Sequence, residues 1–395
     1  MSETVGSSFI VVLNCGSSSI KFALFDAGEA PLARTPAWRG KVDAITGTAP
    51  TFSADGAEAV PLTLDTKHPY ASALTYLRQR IMTWLEGRSI MAVAHRVVHG
   101  GSKYFEPVRV DAEVLADLKS YIPLAPLHQP FALEAIAALL DELPHLPQVA
   151  CFDTGFHQSM PVVEKMLPLP RFAWDEGLRR YGFHGLSYTY LAQVLGERYG
   201  ADARGHTIVA HLGSGASLCA MCNLHSVATT MGFSALDGLM MGTRCGSLDP
   251  GALIYLMEIR KLSLERVAHM LYHESGLLGV SGVSGDPRML LPRENEDPVQ
   301  QALELYVRRI VREVGALAAS LNGLDMLAFT AGIGEHQSVI RERVCASLSF
   351  LGVVIDAQAN AVNASVISST TSKVKVVVEP TNEEWVAATA AVSIC

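Results

Sequence analysis

A glycine and three serines near the start of the chain are the first residues whose types and spacing could do chemistry. Residues 10–22 have the sequence Ile-Val-Val-Leu-Asn-Cys-Gly-Ser-Ser-Ser-Ile-Lys-Phe. Small residues let backbone N–H groups approach an anion closely, and serine hydroxyls add hydrogen-bond donors. On a strand, Ser17, Ser19 and Lys21 would face the same side. The stretch predicts a phosphate-binding turn with Asn14 and Lys21 beside it, while a solvent-facing lysine explains Lys21 equally well.

Two further glycine turns follow apolar runs. Residues 208–220, Ile-Val-Ala-His-Leu-Gly-Ser-Gly-Ala-Ser-Leu-Cys-Ala, have the same pattern of strand, small-residue turn and strand about half the chain later. This predicts a duplicated domain, with one turn of each half facing a common cleft. Residues 327–336, Leu-Ala-Phe-Thr-Ala-Gly-Ile-Gly-Glu-His, predict a strand and a glycine turn that lead into a helix around 339–348. The dinucleotide fingerprint and the P-loop are both absent, so a nucleotide would be bound by another scheme.

Two arginines stand in glycine-bounded segments. Arg96 lies in Ala-His-Arg-Val-Val-His-Gly-Gly after a predicted strand, and Arg244 lies in Met-Gly-Thr-Arg-Cys-Gly-Ser. Two guanidinium groups could hold a planar carboxylate or the equatorial oxygens of a migrating phosphoryl group. Each arginine could instead be a structural ion-pair partner.

Four other polar residues stand at the ends of predicted elements. Asp153 follows a strand, where ligands of α/β proteins gather. His128 lies in a proline-bounded turn and His184 between glycines, although a single histidine is more often structural. Glu383 opens the last predicted helix after the N-cap Asn382, where an acid also complements the helix dipole.

Strands and helices alternate along the chain, which indicates an α/β fold with helix-covered sheets. The predicted strands are 9–13, 20–25, 92–95, 149–152, 208–212, 217–221, 327–330 and 374–378. The predicted helices are 71–85, 131–140, 186–199, 264–272, 299–321 and 383–394. The proline-rich stretch 160–170 is the best candidate for a domain boundary.

Composition excludes several classes of protein. The chain has 395 residues, of which 49% are hydrophobic and 18% charged, enough for two domains with large cores. The net charge of −8 and the scattered basic residues argue against nucleic acid as a partner. We expect a cytoplasmic protein without a membrane span or signal peptide. The seven cysteines are expected to be reduced, and the CxxC at 219–222 lacks a second pair for zinc.

The ordered set of motifs resembles the acetate and propionate kinase family, which belongs to the acetate/sugar kinase, Hsp70 and actin superfamily. The similarity extends from Asn14 to Glu384. The motifs that carry it are N-x-G-S-S-S-[IL]-K at 14–21, H-R-V-V-H-G-G at 95–101, P-L-A-P-L-H at 123–128, F-D-T-x-F-H at 152–157, Y-G-F-H-G at 181–185, G-T-R at 242–244 and A-G-I-G-E at 331–335.

The resemblance implies two ribonuclease-H-like (actin-like ATPase) domains flanking a nucleotide cleft, and a homodimer. Residues 1–155, completed by the C-terminal helix 383–395, would form the acyl-substrate side. Residues 156–382 would form the domain for nucleotide binding and dimerisation. The activity implied is reversible phosphoryl transfer from ATP to acetate, with Mg²⁺, or Mn²⁺ in its place, as the metal.

The resemblance also implies roles for individual residues. Asn14 and Glu383 would hold the metal, and the catalytic residues would be Asp153, Arg96, Arg244, His184 and His128. The acyl group would contact Arg96, Val98, Leu127, Phe183 and Ala235. The nucleotide and its phosphates would contact Ser17, Ser19, Lys21, His211, Leu212, Gly213, Ser214, Gly215, Asp286, Pro287, Arg288, Gly332, Ile333, Gly334, Glu335 and His336.

Elementary chemistry supports these roles. A carboxylate substrate with a pKa near ~4.3 is already ionised at neutral pH, so no base is needed to create the nucleophile. Asp153 is therefore expected to orient the metal or the arginines. The reaction needs compensation of negative charge and in-line positioning, and we expect direct transfer rather than a phosphoenzyme.

The chain departs from the family pattern at four positions. Ser214 and His336 replace asparagines beside the nucleotide site, and Ser247 replaces an acid after Arg244. Ala235 stands where proline is common and could enlarge the acyl pocket, by an amount worth only ~1–3 kcal/mol per methylene.

Three alternatives remain open. A propionate-preferring kinase would share the chemistry and exploit the space at Ala235. A nucleotide-gated binding module of the Hsp70 or actin type would share the phosphate turns but not need Arg96, Arg244 and His184. An inactive relative would have lost turnover through the four departures.

Overall fold

The computed structural model describes residues 8–126 and 128–395. The chain divides into two compact units. Unit 1 comprises Met1–Gly155 with Asn382–Cys395, and unit 2 comprises Phe156–Thr381. None of the helices in the described part of the chain is long and apolar enough to cross a lipid bilayer.

Unit 1 is built on an eight-stranded sheet with the order β5-β4-β3-β2-β1-β6-β8-β7. Its strands are β1 (Ser8–Cys15), β2 (Ile20–Asp26), β3 (Trp38–Asp43), β4 (Thr51–Ala54), β5 (Val60–Pro61), β6 (Ser89–Val97), β7 (Val108–Arg109) and β8 (Gln148–Phe152). Its helices include α1 (Pro69–Leu85), α2 (Ala112–Ser120) and α3 (Gln129–Glu142), with a 3₁₀ turn at Ile122–Leu124. β1, β6 and β8 run parallel, so their carboxyl ends meet at one edge of the sheet.

Unit 2 is built on a five-stranded sheet with the order β11-β10-β9-β12-β13. Its strands are β9 (His206–Leu212), β10 (Ala216–Cys222), β11 (His225–Thr229), β12 (Met326–Thr330) and β13 (Lys375–Val378). Its helices are α4 (Val162–Lys165), α5 (Arg171–Asp175), α6 (Gly185–Tyr199), α7 (Ala201–Arg204), α8 (Pro250–Glu258), α9 (Leu264–His273), α10 (Gly276–Ser281), α11 (Pro287–Leu290), α12 (Asp297–Leu321), α13 (Ala331–His336), α14 (Ser338–Ser347) and α15 (Ala357–Ala361). Further 3₁₀ turns lie at Gly155–Ser159, Leu291–Arg293 and Ser349–Leu351.

The two sheets repeat one topology. In unit 1 the hairpin of β1 and β2 extends to an antiparallel β3, and on its other side β1 pairs in parallel with β6, which pairs with β8. In unit 2 the hairpin of β9 and β10 extends to β11, and β9 pairs in parallel with β12, which pairs with β13. The duplicated α/β fold expected from the two serine and glycine turns is therefore confirmed.

The final helix, α16 (Glu383–Ile394), packs on β1, β6 and β8 of unit 1. Its buried face consists of Trp385 and the small residues Ala387, Ala388 and Ala391, which let the helix approach the sheet closely. The Trp385 ring N–H donates to the carbonyl of Leu32 at 3.1 Å. The last residues of the chain thus cover the strands that carry the first group of candidate site residues.

One local expectation about the first turn is wrong. Ser17 and Ser19 lie in the turn between β1 and β2, which the backbone hydrogen bond from Gly16 N–H to the carbonyl of Ser19 closes at 2.8 Å. Strand alternation starts only at Ile20, so it does not place these two serines on the face of Lys21. Lys21 instead lies directly opposite Asn14 in the β1–β2 pairing, which puts the two side chains on one face.

Candidate active site

In unit 1 an arginine lies among acidic and amide side chains at the carboxyl ends of the parallel strands. Arg96 lies within β6, near its end, rather than after the strand as the sequence suggested, because β6 continues to Val97. Its Nε donates to both carboxylate oxygens of Asp153, at 2.9 and 3.1 Å, and its Nη2 donates to Oδ2 at 2.6 Å. Its Nη1 donates to Oδ1 of Asn14 at 3.3 Å. Three neighbouring strands thereby bring together residues 14, 96 and 153.

The start of α16 adds a second carboxylate to this group. Asn382 caps the helix by accepting from the backbone N–H of Trp385 at 3.1 Å, and Glu383 follows it. Oε2 of Glu383 lies 3.8 Å from Nε of Arg96. Together with Lys21, opposite Asn14, these residues form what we call the first cluster: Asn14, Lys21, Arg96, Asp153 and Glu383.

The side chains of the first cluster are held together by ion pairs with Arg96. Asp153 is only 2% exposed, and its carboxylate makes a bidentate contact with Arg96. Burial works against the charged form of Arg96, but Asp153 and Glu383 more than offset it and raise the pKa of the guanidinium. Burial, only partly offset by Arg96, raises the pKa of Glu383 to about 7. A carboxyl group poised near neutrality loses its proton readily when a cation binds beside it.

The first cluster offers the kind of oxygen donors that a magnesium site would need. Within the described residues no group of three or more His, Cys, Asp or Glu side chains is arranged to hold a metal. Mg²⁺ prefers oxygen ligands and is usually held by one or two carboxylates, with waters and phosphate oxygens completing its shell. The amide oxygen of Asn14 and the carboxylate of Glu383 match that requirement.

His128 lies just before α3 in unit 1, at the helix N-cap position. The next residue, Gln129, is fully buried; its Oε1 accepts from the backbone N–H of His99, and its Nε2 donates to the carbonyl of the same residue. Gln129 therefore ties the start of α3 to the chain just after β6. Val98, in that same stretch, is half-buried. Leu127 lies outside the described residues.

Unit 2 holds a second group of polar side chains beside the turn between β9 and β10. His184 has a left-handed backbone (φ 59°) at the N-cap of α6, and its ring stacks on that of His211 at 4.1 Å between centroids. Nδ1 of His184 lies 2.8 Å from Oγ of Ser217, and Nδ1 of His211 lies 2.8 Å from Oγ of Ser187.

Arg244 belongs to the same group. Its Nη1 donates to the carbonyl of Ala235 at 3.0 Å. A Cβ added to Gly215 would lie 3.4 Å from Nε2 of His184 and 3.6 Å from Nη1 of Arg244, so both nitrogens border the space that this glycine leaves open. We call His184, His211, Ser217, Arg244 and Gly215 the second cluster.

Glycine backbones bring the nucleotide candidates together around the second cluster. Gly242 N–H donates to the carbonyl of Ser214 at 3.3 Å, and a Cβ on Gly242 would lie 2.9 Å from the carbonyl oxygen of Gly285. A Cβ on Gly213 would contact that of Ala331 at 3.7 Å. The three expected nucleotide segments, 211–215, 286–288 and 332–336, therefore converge in unit 2.

The expected nucleotide residues differ in how available they are. Arg288 is 74% exposed at its side chain and forms an ion pair with Asp286, whose pKa it lowers. Gly332 has no heavy atom within 4 Å of its would-be Cβ, so a ligand can approach its backbone. His336 is also exposed. Phe183, which is expected in the acyl pocket and not at the nucleotide, is only 2% exposed.

The structure gives a physical reason for the departure at position 247. Oγ of Ser247 donates to Oδ1 of Asp237 at 2.6 Å and accepts from the N–H of Gly238 at 3.1 Å. An acid at this position would lie against the Asp237 carboxylate, which already lies 3.6 Å from Arg180. The serine avoids that repulsion between like charges.

Sequence reasoning missed the residues that hold these groups in place. Gln129, Ser187, Tyr188 and Ser217 carried no signal of their own, because nothing in a single sequence shows which buried amide or hydroxyl meets a distant part of the chain. Arg341 is fully buried, and its guanidinium donates to the carbonyls of Gly334 and Glu335, at the end of α13. A lone arginine on a predicted helix gives no hint of such a role.

The chain is similar to known proteins over almost its whole length. A model of the Acetokinase family matches residues 9–389. The acetate kinase of Rhodopseudomonas palustris is 49% identical over 385 residues, which cover 96% of each chain. The crystal structure of Porphyromonas gingivalis acetate kinase matches with a TM-score of 0.87 and 37% identity, over 98% of this chain and 100% of that one. A propionate kinase from Francisella tularensis matches with a TM-score of 0.91 and 34% identity, over 98% and 100% of the two chains.

Proposed function

The chain belongs to the Acetokinase family, whose members are phosphotransferases with a carboxyl group as acceptor, and we propose that it transfers the γ-phosphoryl group of ATP reversibly to acetate. The products are acetyl phosphate and ADP. The observation that carries the proposal is the first cluster, in which an arginine, two carboxylates and an amide meet at the ends of three parallel strands. A protein that only sensed nucleotide would not need this arrangement.

The first cluster is assigned to the metal and the acyl carboxylate. Asn14 and Glu383 would hold Mg²⁺, or Mn²⁺ in its place, and the metal would supply compensation of negative charge. Arg96 faces the carboxylate of the substrate, and Asp153 fixes the orientation of the guanidinium by its bidentate contact. Lys21, opposite Asn14 on β2, adds a positive charge for the phosphates, which Ser17 and Ser19 also contact.

The second cluster is assigned to the transferring phosphoryl group. Arg244 and His184 border the space left open at Gly215, and both present N–H donors to the equatorial oxygens. His128, at the start of α3, is assigned to compensation of negative charge. ATP contacts the three converging segments: His211, Leu212, Gly213, Ser214 and Gly215, then Asp286, Pro287 and Arg288, then Gly332, Ile333, Gly334, Glu335 and His336.

The transfer is direct and in line. Acetate is ionised at neutral pH, so its carboxylate oxygen attacks the γ-phosphorus without a general base, and the bond to the bridging oxygen of ADP breaks. Asp153 does not act as a base, because its oxygens accept from Arg96. The protein lowers the barrier by holding two anionic reactants in line and by cancelling their repulsion with fixed cations.

Propionate is the second candidate acceptor. Val98, Leu127, Phe183 and Ala235 are assigned to the acyl pocket, and the side chain of Ala235 is smaller than the proline common at this position. One of the similar crystal structures is that of a propionate kinase. Comparing kcat/KM for acetate and propionate decides the question, and a strong preference for acetate ends the propionate alternative.

A homodimer is proposed from an exposed apolar helix in unit 2. No residue of α8 is buried, although it carries Ile254, Tyr255 and Met257 at 57%, 53% and 39% exposure. Ile259, just after the helix, is 65% exposed. Contiguous apolar surface of this kind marks interaction sites. Replacing Ile254 by Glu should yield monomers in light scattering, whereas Val362→Glu, also on exposed apolar surface, should leave the dimer intact.

A cytoplasmic location is proposed from the cysteines. All seven are free thiols, and four of them, Cys15, Cys151, Cys219 and Cys345, are buried. Disulfides are rare where glutathione and thioredoxin keep thiols reduced.

Trapping the product tests the proposed activity. Purified protein with ATP, Mg²⁺, acetate and hydroxylamine should form acetohydroxamate. The Arg96→Lys variant keeps the positive charge but loses the planar fork, so it should form far less. ATP hydrolysis without hydroxamate from any short-chain acid would contradict the proposal and favour a nucleotide-gated module or an inactive relative.

A further inference from the structure

A buried chain of hydroxyl groups leads to His184. Ser217, on β10, and Tyr188, on α6, are both fully buried. The hydroxyl of Tyr188 lies 2.5 Å from Oγ of Ser217, and this same oxygen lies 2.8 Å from Nδ1 of His184. The three side chains therefore form a linear hydrogen-bonded series that ends on one nitrogen of the imidazole.

Tyr188 determines which atom donates and which accepts in each hydrogen bond of the series. Burial raises the pKa of Tyr188 well above its ordinary value, so the phenol keeps its proton. In the part of the chain that the structure describes, its hydroxyl hydrogen-bonds only Oγ of Ser217. A buried donor without an acceptor is costly, so Tyr188 donates to Ser217. Ser217 has a single hydrogen, which then points to Nδ1 of His184.

We propose that Tyr188 and Ser217 are positioning residues that keep neutral His184 in the tautomer protonated at Nε2. Nδ1 accepts from Ser217, so the ring proton resides on the other nitrogen. Nε2 then presents an N–H donor to an anionic oxygen of the substrate. The identity of that oxygen, on the transferring phosphoryl group, rests on the proposed function, whereas the tautomer does not.

The location of Nε2 supports this assignment. It borders the same opening at Gly215 as Nη1 of Arg244. The ring is also constrained from other sides, since it stacks on His211 and its residue has the left-handed backbone at the start of α6. A non-glycine residue keeps that conformation only when its surroundings enforce it. The stacking and the backbone thus set the orientation of the ring. The hydroxyl series then determines which of its nitrogens carries the proton.

A second histidine in unit 2 provides an internal comparison. Nδ1 of His157 lies 2.9 Å from Oγ of Ser226, and its Nε2 lies 3.0 Å from the carbonyl of Phe183. A carbonyl can only accept, so His157 also carries its proton on Nε2, but the backbone fixes this directly. Ser226 is as buried as Ser217. Ser226→Ala is therefore a matched control that removes a histidine-bonded serine without touching His184.

Nitrogen NMR of the ring tests the tautomer independently of turnover. With ¹⁵N-labelled histidine at a pH of about 8, above the ordinary histidine pKa of about 6.5, the two ring nitrogens of His184 report which one carries the proton. The signals are assigned by comparison with the His184→Asn variant. We expect Nε2–H in the wild-type protein and in Ser226→Ala, and a measurable fraction of Nδ1–H in Tyr188→Phe and Ser217→Ala. A wild-type ring protonated at Nδ1, or tautomer populations unchanged in both variants, would overturn the proposal.

Kinetics tests the positioning role in the same variants. Ser217→Ala should lower kcat roughly 10–100-fold, as loss of a group that orients a functional side chain does, with KM for ATP and acetate changed less than about threefold. Ser217→Thr, which keeps the hydroxyl, should recover most of the loss. If Ser217→Ala fails to fold, Tyr188→Phe, which removes one oxygen, carries the test. An unchanged kcat in Tyr188→Phe and in a folded Ser217→Ala would refute the role.

The two proposals fail in distinguishable ways. If the wild-type protein forms no acyl phosphate but His184 shows Nε2–H that the variants disturb, the proposed function is wrong and the tautomer assignment stands. If acetohydroxamate forms at normal rates and His184 is protonated at Nδ1, the assignment is wrong and the function stands.

Discussion

The two clusters are built in different ways, although they lie at equivalent places in two sheets of one topology. In unit 1, the strand ends carry charged side chains, and Arg96 is held by the carboxylates of Asp153 and Glu383. In unit 2, the turn after β9 carries glycines, and His184 and His211 are held by serine hydroxyls. Duplication therefore preserved the backbone frame while the two copies acquired separate chemistry.

The difference indicates which kind of substitution should disturb each cluster most. The first cluster depends on a balance of charges in a region where Asp153 is almost fully buried. The second depends on the open space beside its glycines, because residues without a side chain let backbone segments approach one another. We expect the first to respond most to changes of charge and the second also to added volume.

Removing either arginine should have the largest effect. Arg96→Ala and Arg244→Ala should each lower kcat by about 10²–10³, as loss of a transition-state charge partner does. Arg96→Ala should also cost about 3 kcal/mol of unfolding free energy, because it leaves the buried Asp153 carboxylate without its cation. Steady-state kinetics and urea unfolding measure the two effects. Near-normal turnover in both variants would remove the assignment.

The double variant Arg96→Ala/Asp153→Ala tests the reason for the predicted loss of stability. It removes the orphaned charge, so it should be more stable than Arg96→Ala alone. If the double variant loses as much unfolding free energy as the two single variants together, the contact between Arg96 and Asp153 does not stabilise the protein.

Adding a methyl group to the second cluster should have a moderate effect. The Cβ of Gly215→Ala would stand 3.4 Å from Nε2 of His184, an ordinary contact that the fold tolerates but that fills the space where the substrate would approach. We expect kcat/KM for ATP to fall about tenfold, a loss of ~1.4 kcal/mol of transition-state stabilisation. Unchanged kcat/KM would show that the opening is not used.

Gly315 supplies the matched control. It lies inside α12, and no heavy atom lies within 4 Å of its would-be Cβ. Gly315→Ala should leave kinetics unchanged and stabilise the protein by about 0.5–1 kcal/mol, since glycine weakens a helix interior.

Acid should weaken unit 1 through histidines that flank Arg96. His95 and His99 are 1% and 0% exposed, and burial lowers the pKa of each to about 4. In the unfolded chain the histidine pKa is ~6.5. Between pH ~4 and ~6.5 the unfolded chain therefore binds more protons than the folded protein. Stability is therefore fully present above pH ~6.5 and falls as the pH drops towards ~4, by at most about 3 kcal/mol for each histidine.

Tryptophan fluorescence during urea unfolding measures this loss, because Trp38, Trp84 and Trp385 all lie in unit 1. His95→Gln should flatten the pH dependence whatever its effect on absolute stability. An equal slope in this variant would contradict the account.

Regular elements were predictable where the pattern was strong. The strand 208–212 and the helix 299–321 have continuous apolar or helical periodicity, and both appear at nearly those bounds as β9 and α12. β3, with Gly40 and alternating basic residues, and the two-residue β5 and β7 gave no such signal. Those strands form through pairing with neighbours, which a local pattern does not contain.

The site was predictable to a similar degree. The sequence singles out Arg96, Asp153 and Glu383 separately, as polar residues at element ends, and the structure brings them into one group, in which Arg96 hydrogen-bonds Asp153 and forms an ion pair with Glu383. Ser217 lay in the repeat that was recognised, but its partner Tyr188 is 29 residues away on a different element. Long-range contacts of buried hydroxyls depend on the tertiary fold, so no spacing rule could have found them.

The dependence of the rate on Mg²⁺ tests most directly the claim that the first cluster holds the metal and the second does not. The Mg²⁺ concentration for half-maximal rate should rise by roughly tenfold or more in Glu383→Gln, which loses a charged ligand, and stay unchanged in Gly215→Ala. Equal Mg²⁺ requirements in the wild-type protein and Glu383→Gln, or an equal rise in both variants, would contradict the account.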